Sequence, residues 1–179
     1  MYTRILATTA YSLHGGQLRK FSGMPYFIHL YRVAEATKAY DFSKYNDIIS
    51  LDELVAISYG HDLYEDTVAT YDLIKIKANA KIADGILSLT SRSKQLKSTE
   101  PRAKRKQIDH QHLSIQPGYI KIIKMFDRLD NLKDWDKADP FLQKYIQESY
   151  DLLDCIRDAD ENLATQIIDL MESYGQKFV

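Results

Sequence analysis

Apolar residues recur at three- and four-residue intervals through most of the chain, with few interruptions by glycine or proline. This spacing predicts helices over about 2–13, 26–39, 51–63, 70–90 with a break near Asn79, 100–113, 117–133 and 140–174 in two pieces. The β-branched pairs Ile48-Ile49 and Ile122-Ile123 fall inside three-four patterns, and Asn-Gly hairpin dipeptides are missing. The expectation is an all-α fold without a sheet. No internal repeat or low-complexity stretch stands out; a Ser/Asp-bearing link at 40–50 and a polar stretch at 91–101 separate the periodic segments.

The length of 179 residues suits one hydrophobic core better than two, so the expectation is a single domain over 1–179. Lys plus Arg number 24 against 25 Asp plus Glu, which gives a net charge of -1 and no broad positive field for nucleic acid. The charge is nonetheless uneven. Arg92, Lys94, Lys97, Arg102, Lys104, Arg105 and Lys106 face only Glu100 within their run, whereas 151–172 is strongly acidic. The basic run reads either as a solvated face or as a clamp for phosphates. The lone Cys155 excludes an internal disulfide and a Cys-rich zinc site, and it fits a reducing, cytoplasmic setting. No run approaches the 18 apolar residues that a membrane span requires, and the start lacks a secretory apolar core.

The segment Tyr59-Gly60-His61-Asp62-Leu63-Tyr64-Glu65-Asp66-Thr67 gathers one imidazole and three carboxylates directly after the apolar run Leu54-Val55-Ala56-Ile57. Continued helix would stack acids one turn apart, an arrangement that repels itself unless a cation is present. Adjacent His61 and Asp62 can both turn towards one divalent ion of the Mn, Fe or Zn type, and the next carboxylates can orient and deprotonate a water. An isolated His-Asp pair is common, so partners are needed. His29 lies in an apolar helical context in Pro25-Tyr26-Phe27-Ile28-His29, where a core histidine bonded to a carbonyl is the ordinary reading. Asp127 follows Ile122-Ile123-Lys124-Met125-Phe126, and a carboxylate so placed requires Arg128, another cation or a metal. Asn131 shares its helical face.

Arg19-Lys20, Pro25-Tyr26-x-x-His29, His61-Asp62-x-x-Glu65-Asp66-Thr67 and Asp127-Arg128-Leu-x-Asn131-Leu, in that order, resemble the HD-domain hydrolases of the RelA/SpoT family. The stand-alone length and the stretch from Arg105-Lys106 through Pro117-Gly118 make the chain most similar to the small alarmone hydrolases. The resemblance implies an HD-superfamily helical bundle and hydrolysis of the 3'-pyrophosphate of ppGpp or pppGpp to GDP or GTP. It implies His29, His61, Asp62 and Asp127 as ligands of one Mn2+ ion, and Glu65 and Asp66 as the pair that activates water. It also implies that Arg19 and Lys20 meet the guanine and Asn131 lies near the ribose.

The chain departs from the family pattern at Leu30 (commonly Pro), at Phe21, which lengthens the link to Pro25, and at Asp130, where His or Tyr is common. Asp130 adds a negative charge beside a polyphosphate site. Two alternatives therefore stand beside the leading one: an HD-type hydrolase of another nucleotide, such as an adenosine alarmone or a nucleoside monophosphate, and a non-catalytic nucleotide sensor. The expected partner is a small nucleotide, with neither nucleic acid nor membrane; a homo-oligomer is allowed, although no interface is legible. His14 in His-Gly-Gly-Gln is read as local packing. His110 and His112 diverge on a helix and are read as solvent-facing, and Cys155 as a small buried apolar residue.

Overall fold

The computed structural model describes residues 1–174. Its helices are α1 (Tyr2–Leu13), α2 (Phe27–Ala39), α3 (Leu51–Gly60), α4 (Leu63–Asp66), α5 (Tyr71–Lys77), α6 (Ala80–Leu89), α7 (Arg102–Ser114), α8 (Gly118–Lys133), α9 (Leu142–Ile156) and α10 (Glu161–Glu172). The all-α expectation holds: the described residues form no named strand, and Leu18 and Pro25 make an isolated antiparallel bridge. None of these helices is long and apolar enough to cross a membrane. The chain divides into two compact units, Met1–Ser91 and a second from Arg92 onward.

In the first unit α3 packs against α1, α2 and α6. Every residue of α3 from Glu53 to Gly60 is buried, as a helix enclosed on all sides requires. Its start is set by Ser50, whose side chain accepts from the Glu53 N–H while the Glu53 carboxylate accepts from the Ser50 N–H. Glycines bring α3 and α6 together at two points. A Cβ on Gly60 would lie 2.4 Å from Ile86 Cδ1, and one on Gly85 would lie 2.4 Å from Ile57 Cδ1.

The helix expected over 51–63 ends instead at Gly60. His61 and Asp62 form a turn, with Asp62 at φ -100° and ψ -1°, and the single-turn α4 follows. Glycine, a weak helix former at the crossing with α6, lets the backbone change direction just before the His-Asp pair. The break expected near Asn79 is present. Asn79 caps α6 by accepting from the Ile82 N–H, and Thr70 caps α5 in the same way.

In the second unit α8 packs against α9 and α10, and α7 packs against α9. Ile120, Ile122, Ile123, Met125 and Leu132 of α8 are buried with Ile146, Leu152, Leu153 and Ile156 of α9 and Ile167 of α10. Asp160 starts α10 by accepting from the Leu163 N–H.

Candidate functional site

His29 sits in the first turn of α2, and His61 stands where α3 stops; both are buried. The His61 Nδ1–H donates to the Ser58 carbonyl at 2.7 Å, which leaves the lone pair on Nε2. That Nε2 lies 3.2 Å from His29 Nε2. Asp62 Oδ2 is 3.1 Å from His61 Nε2 and 3.6 Å from His29 Nε2. Two imidazole nitrogens and a carboxylate oxygen thus converge on one another from residues 32 positions apart. Ligands about 2.1 Å from a shared ion in neighbouring coordination positions are about 3 Å apart, so the donor set fits a divalent metal. The second shell is present as well. Tyr26 donates its hydroxyl to Asp62 Oδ2 at 2.6 Å, and the Ser58 carbonyl fixes the His61 ring.

Glu65 and Asp66 occupy α4, directly after the His-Asp turn. Glu65 is half-buried and accepts the Ser91 N–H at 2.7 Å on Oε1, whereas the Asp66 side chain is exposed. Arg19 and Lys20 lie on the loop between α1 and α2. This loop is closed by bonds from the Arg19 N–H to the Met24 carbonyl and from the Tyr26 N–H to the Gln17 carbonyl, with Gly23 turning at φ +67°. Arg19 is buried, its guanidinium carbon 6.0 Å from the centre of the Tyr26 ring. Lys20 is exposed over Phe21.

In the second unit Asp127 is buried on α8, with both carboxylate oxygens engaged. Lys124 donates to Oδ2 at 2.7 Å, and Asn131 donates to Oδ1 at 2.6 Å. The cation beside Asp127 is therefore Lys124 from the preceding turn. Arg128 instead donates to Ser149 Oγ and lies over the Tyr145 ring at 4.3 Å. Asp130 is buried, 7% exposed.

The basic run is not uniform. Lys94, Lys97 and Lys104 are exposed, but Arg102 makes a bidentate ion pair with Glu148 at 2.6 and 2.7 Å. Burial, with Arg128 and Lys124 nearby, brings the Lys106 amine down to about 8. The start of the run is anchored by Asp109, which accepts from the N–H and the hydroxyl of Ser93.

The solvent-facing reading of His110 and His112 is corrected for His110, which is 7% exposed. Helix α7 turns it with Lys106 into a cavity of about 610 Å³ beside α9. Burial lowers its pKa, and Lys106 and Arg128 add to that effect. His112 is half-buried, its Nε2 3.4 Å from Arg92 Nε. Cys155 lines the same cavity and is half-buried rather than buried. Sequence reasoning also assigned no role to Tyr26, Ser58, Lys124 or Ser91. Of these, Tyr26 and Lys124 had a readable signal, since Tyr26 precedes His29 and Lys124 precedes Asp127 by three positions, so each pair shares a helical side.

No family model matches the chain. Among solved structures, it is similar in fold to a protein described as a metazoan ortholog of SpoT that hydrolyzes ppGpp and plays a role in starvation responses. The TM-score is 0.78 at 20% identity, over 97% of this chain and 96% of that one.

Proposed function

We propose that this protein is a divalent-metal-dependent hydrolase that removes the 3'-pyrophosphate from ppGpp and pppGpp, releasing GDP or GTP. The observation that carries the reading is the meeting of His29 Nε2, His61 Nε2 and Asp62 Oδ2 at 3.1–3.6 Å, followed at once by Glu65 and Asp66. The fold shared with a ppGpp-hydrolysing protein supports it. So does the order of motifs along the chain, which resembles the small alarmone hydrolases.

The two units act as one hydrolase domain in this reading, with Asp127 of the second supplying the fourth ligand beside His29, His61 and Asp62. One Mn2+ ion held by these four residues would polarise the phosphoryl oxygen and acidify a water. Glu65 and Asp66 orient that water and take its proton. Oxygen attacks phosphorus as the bond to the ribose 3'-oxygen breaks, and the departing oxygen takes up a proton. Lys124 offsets charge on Asp127 and on the phosphates. Arg19 and Lys20 hold the guanine, with Arg19 offering a planar face for stacking, and Asn131 fixes Asp127 beside the ribose. The setting is cytoplasmic.

The test is to strip metal from the purified protein, add Mn2+ and ppGpp, and separate the nucleotides by anion exchange. GDP and pyrophosphate in equal amounts are expected, and activity should disappear again with chelator. A folded protein that binds Mn2+ and leaves ppGpp intact would overturn the reading. Competition by other nucleotides decides whether Asp130 shifts the preference.

A further inference from the structure

We propose that His14 and Gln17 form a bracket that positions Asp62 and Asp66, acting through Tyr26 on the first and directly on the backbone of the second. Both are positioning residues, and the proposal rests on the hydrolase reading above.

His14 follows α1 and is 2% exposed. Its ring stacks on Tyr26, with centroids 5.0 Å apart and planes within 16°. Tyr26 in turn donates to Asp62 Oδ2. The stack holds the phenol ring, and the phenol selects which Asp62 oxygen is engaged.

The second arm runs through Gln17. Its Nε2 donates to the Asp66 carbonyl at 2.8 Å, which orients the amide. Gln17 Oε1 then faces His14 Nδ1 at 2.7 Å as an acceptor, so His14 carries its proton on Nδ1. Both arms spring from one turn: the Gln17 N–H donates to the His14 carbonyl at 3.0 Å, and the Gln17 carbonyl accepts from the Tyr26 N–H at 2.9 Å.

The other ring nitrogen shows why packing alone does not explain His14. Nε2 is buried without a hydrogen-bond partner, a desolvation cost that a phenylalanine in the same space would not incur. The histidine is kept for its Nδ1–H. Helix α4 needs such support, because a four-residue turn does not hold itself in water and it carries Glu65 and Asp66. Gln17 holds it at Asp66, and the Ser91 N–H holds it at Glu65.

Three variants separate the arms. Gln17→Glu keeps the acceptor for His14 and removes the donor to Asp66. With Mn2+ and ppGpp its kcat should fall about tenfold or more, while KM and Mn2+ affinity stay within about twofold. His14→Asn retains a side-chain N–H near Nδ1 and should recover most of the kcat that His14→Ala loses. His14→Ala also removes the stack and should weaken Mn2+ binding about tenfold. Hydrogen exchange of amides 62–67, read without nucleotide, should speed up in Gln17→Glu. Wild-type kcat or unchanged exchange in Gln17→Glu would overturn the bracket. If the wild-type protein leaves ppGpp intact, the hydrolase reading fails, while exchange and Mn2+ affinity still decide the bracket.

Discussion

Two buried histidines, one in each unit, show what surroundings do to the same side chain. His61 is oriented by a backbone carbonyl, and its Nε2 meets His29 and Asp62 at 3.1–3.2 Å. His110 is about as buried, and burial lowers its pKa, with Lys106 and Arg128 adding to the effect and Asp151 and Asp109 opposing it. The first arrangement gathers lone pairs and suits a cation; the second surrounds the ring with charges of both signs. Burial of an imidazole therefore does not mark a metal site. What marks it is which groups share the space and which nitrogen the second hydrogen bond leaves free.

The acids differ between the units in a parallel way. Asp62 is met by a neutral phenol and two imidazoles, whereas Asp127 already has a lysine and an amide on its two oxygens.

The largest effect should come from breaking the lone-pair cluster itself. Asp62→Ala is expected to abolish ppGpp hydrolysis by about 10³-fold or more and to remove tight Mn2+ binding, read by anion exchange and by metal titration. Glu65→Gln should leave Mn2+ bound and lower kcat about 10²–10⁴-fold, which separates holding the ion from activating water. Lys124→Met leaves Asp127 buried without its cation. The metal-free protein should lose about 2–4 kcal/mol in a urea titration, and saturating Mn2+ should return most of it. A loss indifferent to Mn2+ would remove Asp127 from the ligand set.

The smallest expected effect concerns Lys106, beside His110. The Lys106 amine sits at about 8 in the folded protein, well below the ordinary lysine value, because burial and its neighbours disfavour the charge. A lowered amine pKa costs stability below that value and releases the cost as pH rises towards about 10. Lys106→Met should raise Tm by a few degrees, roughly, at pH 7, with the gain shrinking by pH 10. An equal gain at both pH values would assign the effect to packing instead.

Much of the secondary structure was legible because its causes are local. Ser50 with Glu53, Thr70, Asn79 and Asp160 are side chains that cap the helix directly after them. The three-four periodicity placed α1, α2, α8 and the two helices after Phe141 within a few residues. It ran α3 on to residue 63, because periodicity carries no information about Gly60 meeting Ile86 of another helix. It also left His110 in solvent, because the face that α7 presents to α9 depends on where α9 lies.

The adjacency of His61 and Asp62, the carboxylates after them and the apolar setting of His29 and Asp127 belong to the amino-acid order alone, since chemistry at short range is written in neighbouring residues. The 3.2 Å meeting of His29 with His61 and the Tyr26 hydroxyl on Asp62 were decided by tertiary packing. Such contacts depend on distances between helices, which are set by how side chains fill the core and leave no trace in local spacing.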